Sequence, residues 1–202
     1  MLEVGKKAPK SLLTDGFYSY DADKRVSAKD FAGKYLVVYF YPRDSTPGCT
    51  REAQAFHAAA KELAKLDAAV VGVSKDSVKS HCSFRDKYSL GFPLLSDPDL
   101  ALHNAFGSYG EKTMYGKKIM GTIRSTFILD PEGKVVRVFP NVKVDGHVDA
   151  ILDALRTLQG KPGAAKAAAA KTMVASAKPA AKKVAPKKPA AKTMVASAKP
   201  KP

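Results

Sequence analysis

Along its first 160 residues the chain alternates short, continuous apolar runs with longer stretches whose apolar residues recur three or four positions apart. The first clear run, "KYLVVYFY" at 34–41, is β-branched and aromatic without polar interruption, as expected of a strand buried on both faces of a sheet. "AAVVGVS" at 68–74 is a second run of that type, and "FPLLSD" at 92–97 reads as a shorter strand. Between them the period changes. "CTREAQAFHAAAKELAKL" from Cys49 to Leu66 predicts one helix, with Phe56 and Leu63 available to a core, and "DSVKSHCSFRDKYSL" predicts another, capped by Asp76 or Ser77. A third helix is expected over "PDLALHNAFG", opened by Pro98 and closed by Gly107. "GTIRSTFILD" and "KVVRVFP" then predict a hairpin turned at "PEGK", and "VDGHVDAILDALRTLQG" an amphipathic closing helix that ends at Gly160.

Before the first run, residues 1–31 are turn-rich, and "TDGFYSYDADKRVSAKDF" reads as a short hairpin followed by a helical turn. Alternating strands and helices with a late hairpin predict a mixed α/β sheet flanked by helices. That order is compatible with a thioredoxin-like fold, and with other three-layer folds.

Composition divides the chain in two, a domain at 1–160 and a tail at 161–202. All 19 acidic residues precede Lys161, whereas 161–202 holds 11 lysines and no acid, so of the net charge of +15 only 15 − 11 = +4 belongs to the rest. The tail is built from Ala, Lys and Pro with no aromatic residue, and "AAKTMVASAKP" occurs twice, at Ala169–Pro179 and Ala190–Pro200. Such a segment has too little apolar surface to offset its ordering entropy, and a disordered tail is expected. No h-region or run long enough to span a membrane is evident, and two cysteines at unrelated spacing do not make a secreted disulfide scaffold, so a cytoplasmic location is expected.

Of those cysteines, Cys49 stands where a helix begins, behind Pro47 and Gly48. A thiol attacks as its thiolate, and the free N–H groups and dipole of a helix start favour negative charge there. Thr46 is placed to bring a hydroxyl toward the sulfur, and Pro42 and Pro47 to restrict access to small substrates. The alternative is a buried cysteine that only fills space.

"YFYPRDSTPGCTREA", with Pro42, Thr46 and Cys49 in a P-x-x-x-T-x-x-C pattern, resembles the active-site segment of peroxiredoxins, most of all the bacterioferritin comigratory protein or peroxiredoxin Q group. The similarity extends through "VVGVSKDSVKSH", "FPLLSD" and "STFILDPEGKV" but not into the tail. The resemblance implies a thioredoxin-like fold and a thiol peroxidase acting on hydrogen peroxide and small organic hydroperoxides. Cys49 would be the peroxidatic cysteine, oxidised to a sulfenic acid, and Arg124 the arginine that steadies thiolate and peroxide oxygens. Many relatives carry a second cysteine five positions on, where this chain has Gln54. Others carry it on the next helix, which implies Cys82 as the resolving cysteine, an intramolecular Cys49–Cys82 disulfide, a monomer, and thioredoxin or a similar dithiol protein as reductant. Two intact helices would hold these sulfurs too far apart, so local unwinding is expected. If Cys82 has no redox role, an external thiol must attack the sulfenate.

His81 is expected at the surface, and Glu52 as support for the helix dipole. His57, His103 and His147 show no metal-ligand spacing, and no glycine-rich fingerprint follows a strand, so neither metal nor nucleotide cofactor is expected. The lysine-rich tail leaves a second function class open, non-specific nucleic-acid binding through phosphates, against a merely solubilising tail.

Overall fold

The computed structural model describes residues 1–19, 25–114 and 116–160. The basic segment 161–202, with its repeat and expected disorder, lies outside the described residues. Strand β3 (Tyr35–Phe40) occupies the centre of a five-stranded sheet, parallel to β4 (Ala68–Ser74) on one side and antiparallel to β8 (Ser125–Leu129) on the other. β5 (Leu94–Ser96) extends the β4 side in parallel and β9 (Val135–Phe139) the β8 side in antiparallel, giving the order β5-β4-β3-β8-β9. The central strands are buried on both faces, as their unbroken apolar runs require.

Alternate residues of these strands feed two cores. On one face Val37, Tyr39 and Tyr41 pack with Phe56, Phe84 and Ile151 from α1 (Pro47–Ala58), α3 (Val78–Tyr88) and α5 (His147–Leu158). On the other, Leu36, Val38 and Phe40 pack with Leu12, Leu102 and Phe106, the last two from α4 (Ala101–Phe106). Gly72 is a packing necessity: a Cβ there would lie 2.8 Å from the Tyr39 ring and from Leu94. This is the mixed, helix-flanked architecture of the thioredoxin-like fold.

The single helix expected over 49–66 is two. α1 begins two residues earlier, at Pro47, and the backbone turns at Ala59 (φ −81°, ψ 0°) before α2 (Ala60–Lys65), which keeps both Phe56 and Leu63 buried. Pro98 lies in a turn ahead of α4 instead of opening it, because Leu100 adopts φ +59°. "GTIRSTFILD" is also divided. Gly121 and Thr122 end β7 (Lys117–Thr122), which pairs only with β6 (Tyr109–Met114) in a separate antiparallel ribbon that the sequence pattern did not announce.

The early elements follow expectation: β1 (Phe17–Tyr18) pairs with β2 (Arg25–Val26), and a helical turn at Ala28–Phe31 carries a Ser27/Asp30 capping box. Residues 2–8 run along the start of β9. Gly5 and Ala8 donate backbone bonds to Val135 and Gly133, Val135 returns one to Lys6, and Leu2 donates to Phe106 of α4.

Candidate active site

A parallel strand ending at a helix N-terminus delivers side chains to the edge of a sheet. Here β3 runs into a loop of residues 41–46, and Thr46 is the N-cap of α1. Pro47 at the first helical position lacks an N–H that would otherwise need a partner. Cys49 is the third residue of the helix, 2% exposed and free, packed at the edge of the core that holds Phe56 and Tyr39.

Arg124 reaches the sulfur from the link between β7 and β8. Its Nη2 lies 3.2 Å from Cys49 Sγ, and its Nη1 donates to Glu52 Oε2 one turn further along α1. Its own carbonyl accepts from Val142 N–H at 2.9 Å, which fastens the link to the loop after β9. Gly48 runs close beneath the guanidinium: a Cβ there would lie 3.6 Å from Nη2.

Burial governs the charges here. Glu52 is 1% exposed and its Oε1 has no partner among the described residues, so burial raises its pKa to about 7, with Arg124 only partly opposing. Burial alone would lower the pKa of Arg124, but Glu52 and Cys49 outweigh it and hold the guanidinium charged. His147 donates to or accepts from Thr126 Oγ1 at 2.8 Å, and burial, reinforced by the nearby Arg124, lowers its pKa to about 4.

An open pocket of about 240 Å³ lies over Arg124, lined by Pro42, Lys112, Thr122, Ile123, Asn141 and Val142. Lys112 brings a second cation to it. Its Nζ donates to the Thr122 carbonyl at 2.9 Å, and its stem crosses Gly121, where a Cβ would meet Cε at 2.8 Å. Burial and the positive Arg124 both lower the Lys112 pKa. A pocket of about 290 Å³ elsewhere, around Lys7, Phe31 and Asp130, is lined by no cysteine or histidine. A thiol held against a guanidinium, beside a small pocket with a polar rim, suits attack on a small electrophile whose leaving atom gains negative charge.

The sequence profile of the AhpC/TSA family matches residues 4–138. The chain belongs to the AhpC/TSA family. It is 51% identical over 138 residues to Peroxiredoxin Bcp of Xanthomonas campestris pv. campestris, a match spanning 68% of this chain and 86% of the relative. A putative peroxiredoxin bcp of Coxiella burnetii is 45% identical over 154 residues, 76% of this chain and 99% of that one. Among solved structures, a Xanthomonas campestris bacterioferritin comigratory protein, studied for alkyl peroxide reduction, aligns with a TM-score of 0.71 at 44% identity, covering 77% of this chain and 99% of its own. A Xylella fastidiosa PrxQ variant gives 0.72 at 37% identity, covering 79% and 98%. This peroxiredoxin is thus an enzyme of thiol-dependent peroxide reduction.

Of the residues singled out in the sequence of this peroxiredoxin, Pro42, Cys49 and Arg124 converge. Thr46 is beside them, but its hydroxyl donates to the Arg43 carbonyl at 3.1 Å. Cys82 is in no disulfide and lies half-buried in the second turn of α3. Two expectations are overturned. Glu52 is not a first-turn residue supporting the helix dipole; it lies in the second turn, buried and paired with Arg124. His81 is not on the surface either, because Asp44 lies under α3 and its Oδ2 binds His81 Nδ1 at 2.9 Å, leaving the ring 0% exposed. Ser77, not Asp76, caps α3, while Asp76 Oδ2 accepts the Asp44 N–H at 2.8 Å. Lys112 went unnoticed, since a lysine in a polar ribbon carries no signal of the pocket it lines. Among the described residues no cluster could hold a metal ion, and no helix is long and apolar enough to cross a membrane.

Proposed function

We propose that Cys49 is the nucleophile of a two-cysteine peroxidase. Its thiolate attacks the terminal oxygen of a hydroperoxide, an S–O bond forms as the O–O bond breaks, and the leaving oxygen takes up a proton to depart as water or an alcohol. Cys49 becomes a sulfenic acid. Arg124 donates to both sulfur and developing oxyanion, and Pro42 with Thr46 shapes the approach. The observation that carries this reading is the 3.2 Å contact of Arg124 Nη2 with Cys49 Sγ, made by an arginine that also lines the small pocket.

Cys82 then attacks the sulfenic sulfur, forming the intramolecular disulfide and releasing water, and thioredoxin or a similar dithiol protein reduces that disulfide by exchange. Hydrogen peroxide and small organic hydroperoxides are the substrates, and the enzyme works as a monomer in the cytoplasm. Supporting the resolving role, Cys82 is the only other thiol and sits near a helix start. A thioredoxin-coupled assay that follows NADPH oxidation tests the cycle. Cys49→Ser is expected to abolish turnover and Cys82→Ser to cripple it; full activity in Cys82→Ser would remove the resolving role and leave a one-cysteine peroxidase.

The 11 lysines of 161–202 favour a second, additional role as a non-specific tether to DNA. Gel shifts of the full chain and of a 1–160 version across salt concentrations test it: unchanged binding without the tail would sink this role.

A further inference from the structure

The site described so far leaves out a buried polar cluster between the loop entering α1 and the start of α3. Asp44, 6% exposed, sits at its centre. Its Oδ1 accepts from the Tyr41 hydroxyl at 2.7 Å, and its Oδ2 accepts from the Ser80 hydroxyl at 2.7 Å and meets His81 Nδ1 at 2.9 Å. Its backbone N–H donates to Asp76 Oδ2, which also accepts from Ser74 Oγ. These bonds outweigh burial and hold the Asp44 pKa below its usual value.

The placement gives the cluster its meaning. Asp44 precedes Cys49 by five residues in the loop, while Ser80 and His81 immediately precede Cys82 on α3. Cys82 cannot leave its helical position without moving the two residues that Asp44 holds. The holding is cooperative: pulling away either one leaves a buried carboxylate short of donors, so both must go together. Intact helices keep a first-turn sulfur and a sulfur on a neighbouring helix from meeting, so the rate of resolution depends on how often this part of α3 opens.

We propose that Asp44 is a positioning residue that latches the first turns of α3 and thereby sets how fast Cys82 reaches oxidised Cys49. The proposal rests on the reading of Cys82 as the resolving thiol. In that step the Cys82 thiolate attacks the sulfenic sulfur, the S–S bond forms, the S–O bond breaks, and hydroxide leaves to be protonated to water. While the latch holds, the sulfenic acid persists and a second peroxide can convert it to a sulfinic acid, consuming one further oxygen. The latch therefore trades speed of resolution against exposure to overoxidation.

Ser80→Ala, which removes one bond, and Asp44→Asn, which removes the charge, test this in the full chain. Three quantities are read: the single-turnover rate of peroxide consumption, the rate of Cys49–Cys82 disulfide formation after quenching by alkylation, and the sulfinic fraction under excess peroxide by mass spectrometry. Disulfide formation is expected to rise about threefold in Ser80→Ala and about tenfold in Asp44→Asn, the range spanned by the net loss of one ordinary hydrogen bond. The sulfinic fraction should fall in the same order while the first step stays within about twofold. Resolution unchanged or slower in both variants, or a first step slowed alongside it, would overturn the latch, since a merely structural role loosens Cys49 and Cys82 together. Wild type that forms no Cys49–Cys82 disulfide would instead overturn the resolving assignment, and the latch with it.

Discussion

Arg124 serves two neighbours with its two terminal nitrogens, Cys49 Sγ and Glu52 Oε2. Arg124→Met removes the donor to Cys49 Sγ, and with Cys49 as the proposed nucleophile the peroxidase kcat/KM should fall by about 10²-fold or more in the coupled assay. The same change strands a buried carboxylate, so the melting temperature should drop as well; a variant with intact activity would show that another group neutralises the sulfur. Glu52 and His147 give a second prediction with opposite signs. The folded pKa of Glu52, about 7 against 4.5, means the folded state binds its proton more tightly, so its contribution to stability is present below 4.5 and is lost as pH rises to 7. His147, about 4 against 6.5, works the other way: its contribution is present above 6.5 and is lost as pH falls through 4. Each full span is on the order of 3 kcal/mol, so the two nearly cancel where they overlap. Glu52→Gln should thus make thermal stability climb with pH across that overlap, and His147→Asn should make it decline. Parallel profiles for both variants and wild type would show that neither group is perturbed as its burial demands.

The ribbon of β6 and β7 carries Lys112 to the pocket, with Gly121 leaving room for its stem. Because Lys112 lies beside the pocket and its bond goes to the Thr122 carbonyl, Lys112→Met should lower kcat/KM by only about threefold to tenfold, well short of Arg124→Met. Equal losses in the two variants would place Lys112 among the groups that act on the reacting atoms. That ribbon also marks where the sequence stopped being legible. β3, β4 and β8 announced themselves because burial on both faces demands unbroken apolar runs, and the helix starting near Cys49 was legible from Pro47 and Gly48. "YGEKTM" and "KKIMGT" pair with each other in a ribbon detached from the sheet, so no apolar pattern was required of them. Glu52 and His81 were misread for a related cause: each is a polar residue whose burial depends on a partner distant in sequence, Arg124 and Asp44. Spacing along one helix holds no trace of such a partner.

Around the five-stranded sheet, with a core on each face, the described residues add two small ribbons, and the proposed nucleophile sits where β3 hands over to α1. Charge is distributed quite differently, with 11 of the 34 basic residues in 161–202, so any tail-dependent DNA binding should weaken steeply as salt rises while peroxide turnover by 1–160 does not change. The opposite end of the chain has a mechanical part to play. Residues 2–8 bond to the strip at 133–135 beside β9 and to α4. The Met1 backbone packs against Gly107 so closely that a Cβ there would lie 2.5 Å from Met1 Cα. An affinity handle fused ahead of Met1 is consequently not a neutral convenience. It would prise at a seam that shields a sheet margin from sticking to another molecule, and a purification handle belongs at the lysine-rich terminus instead.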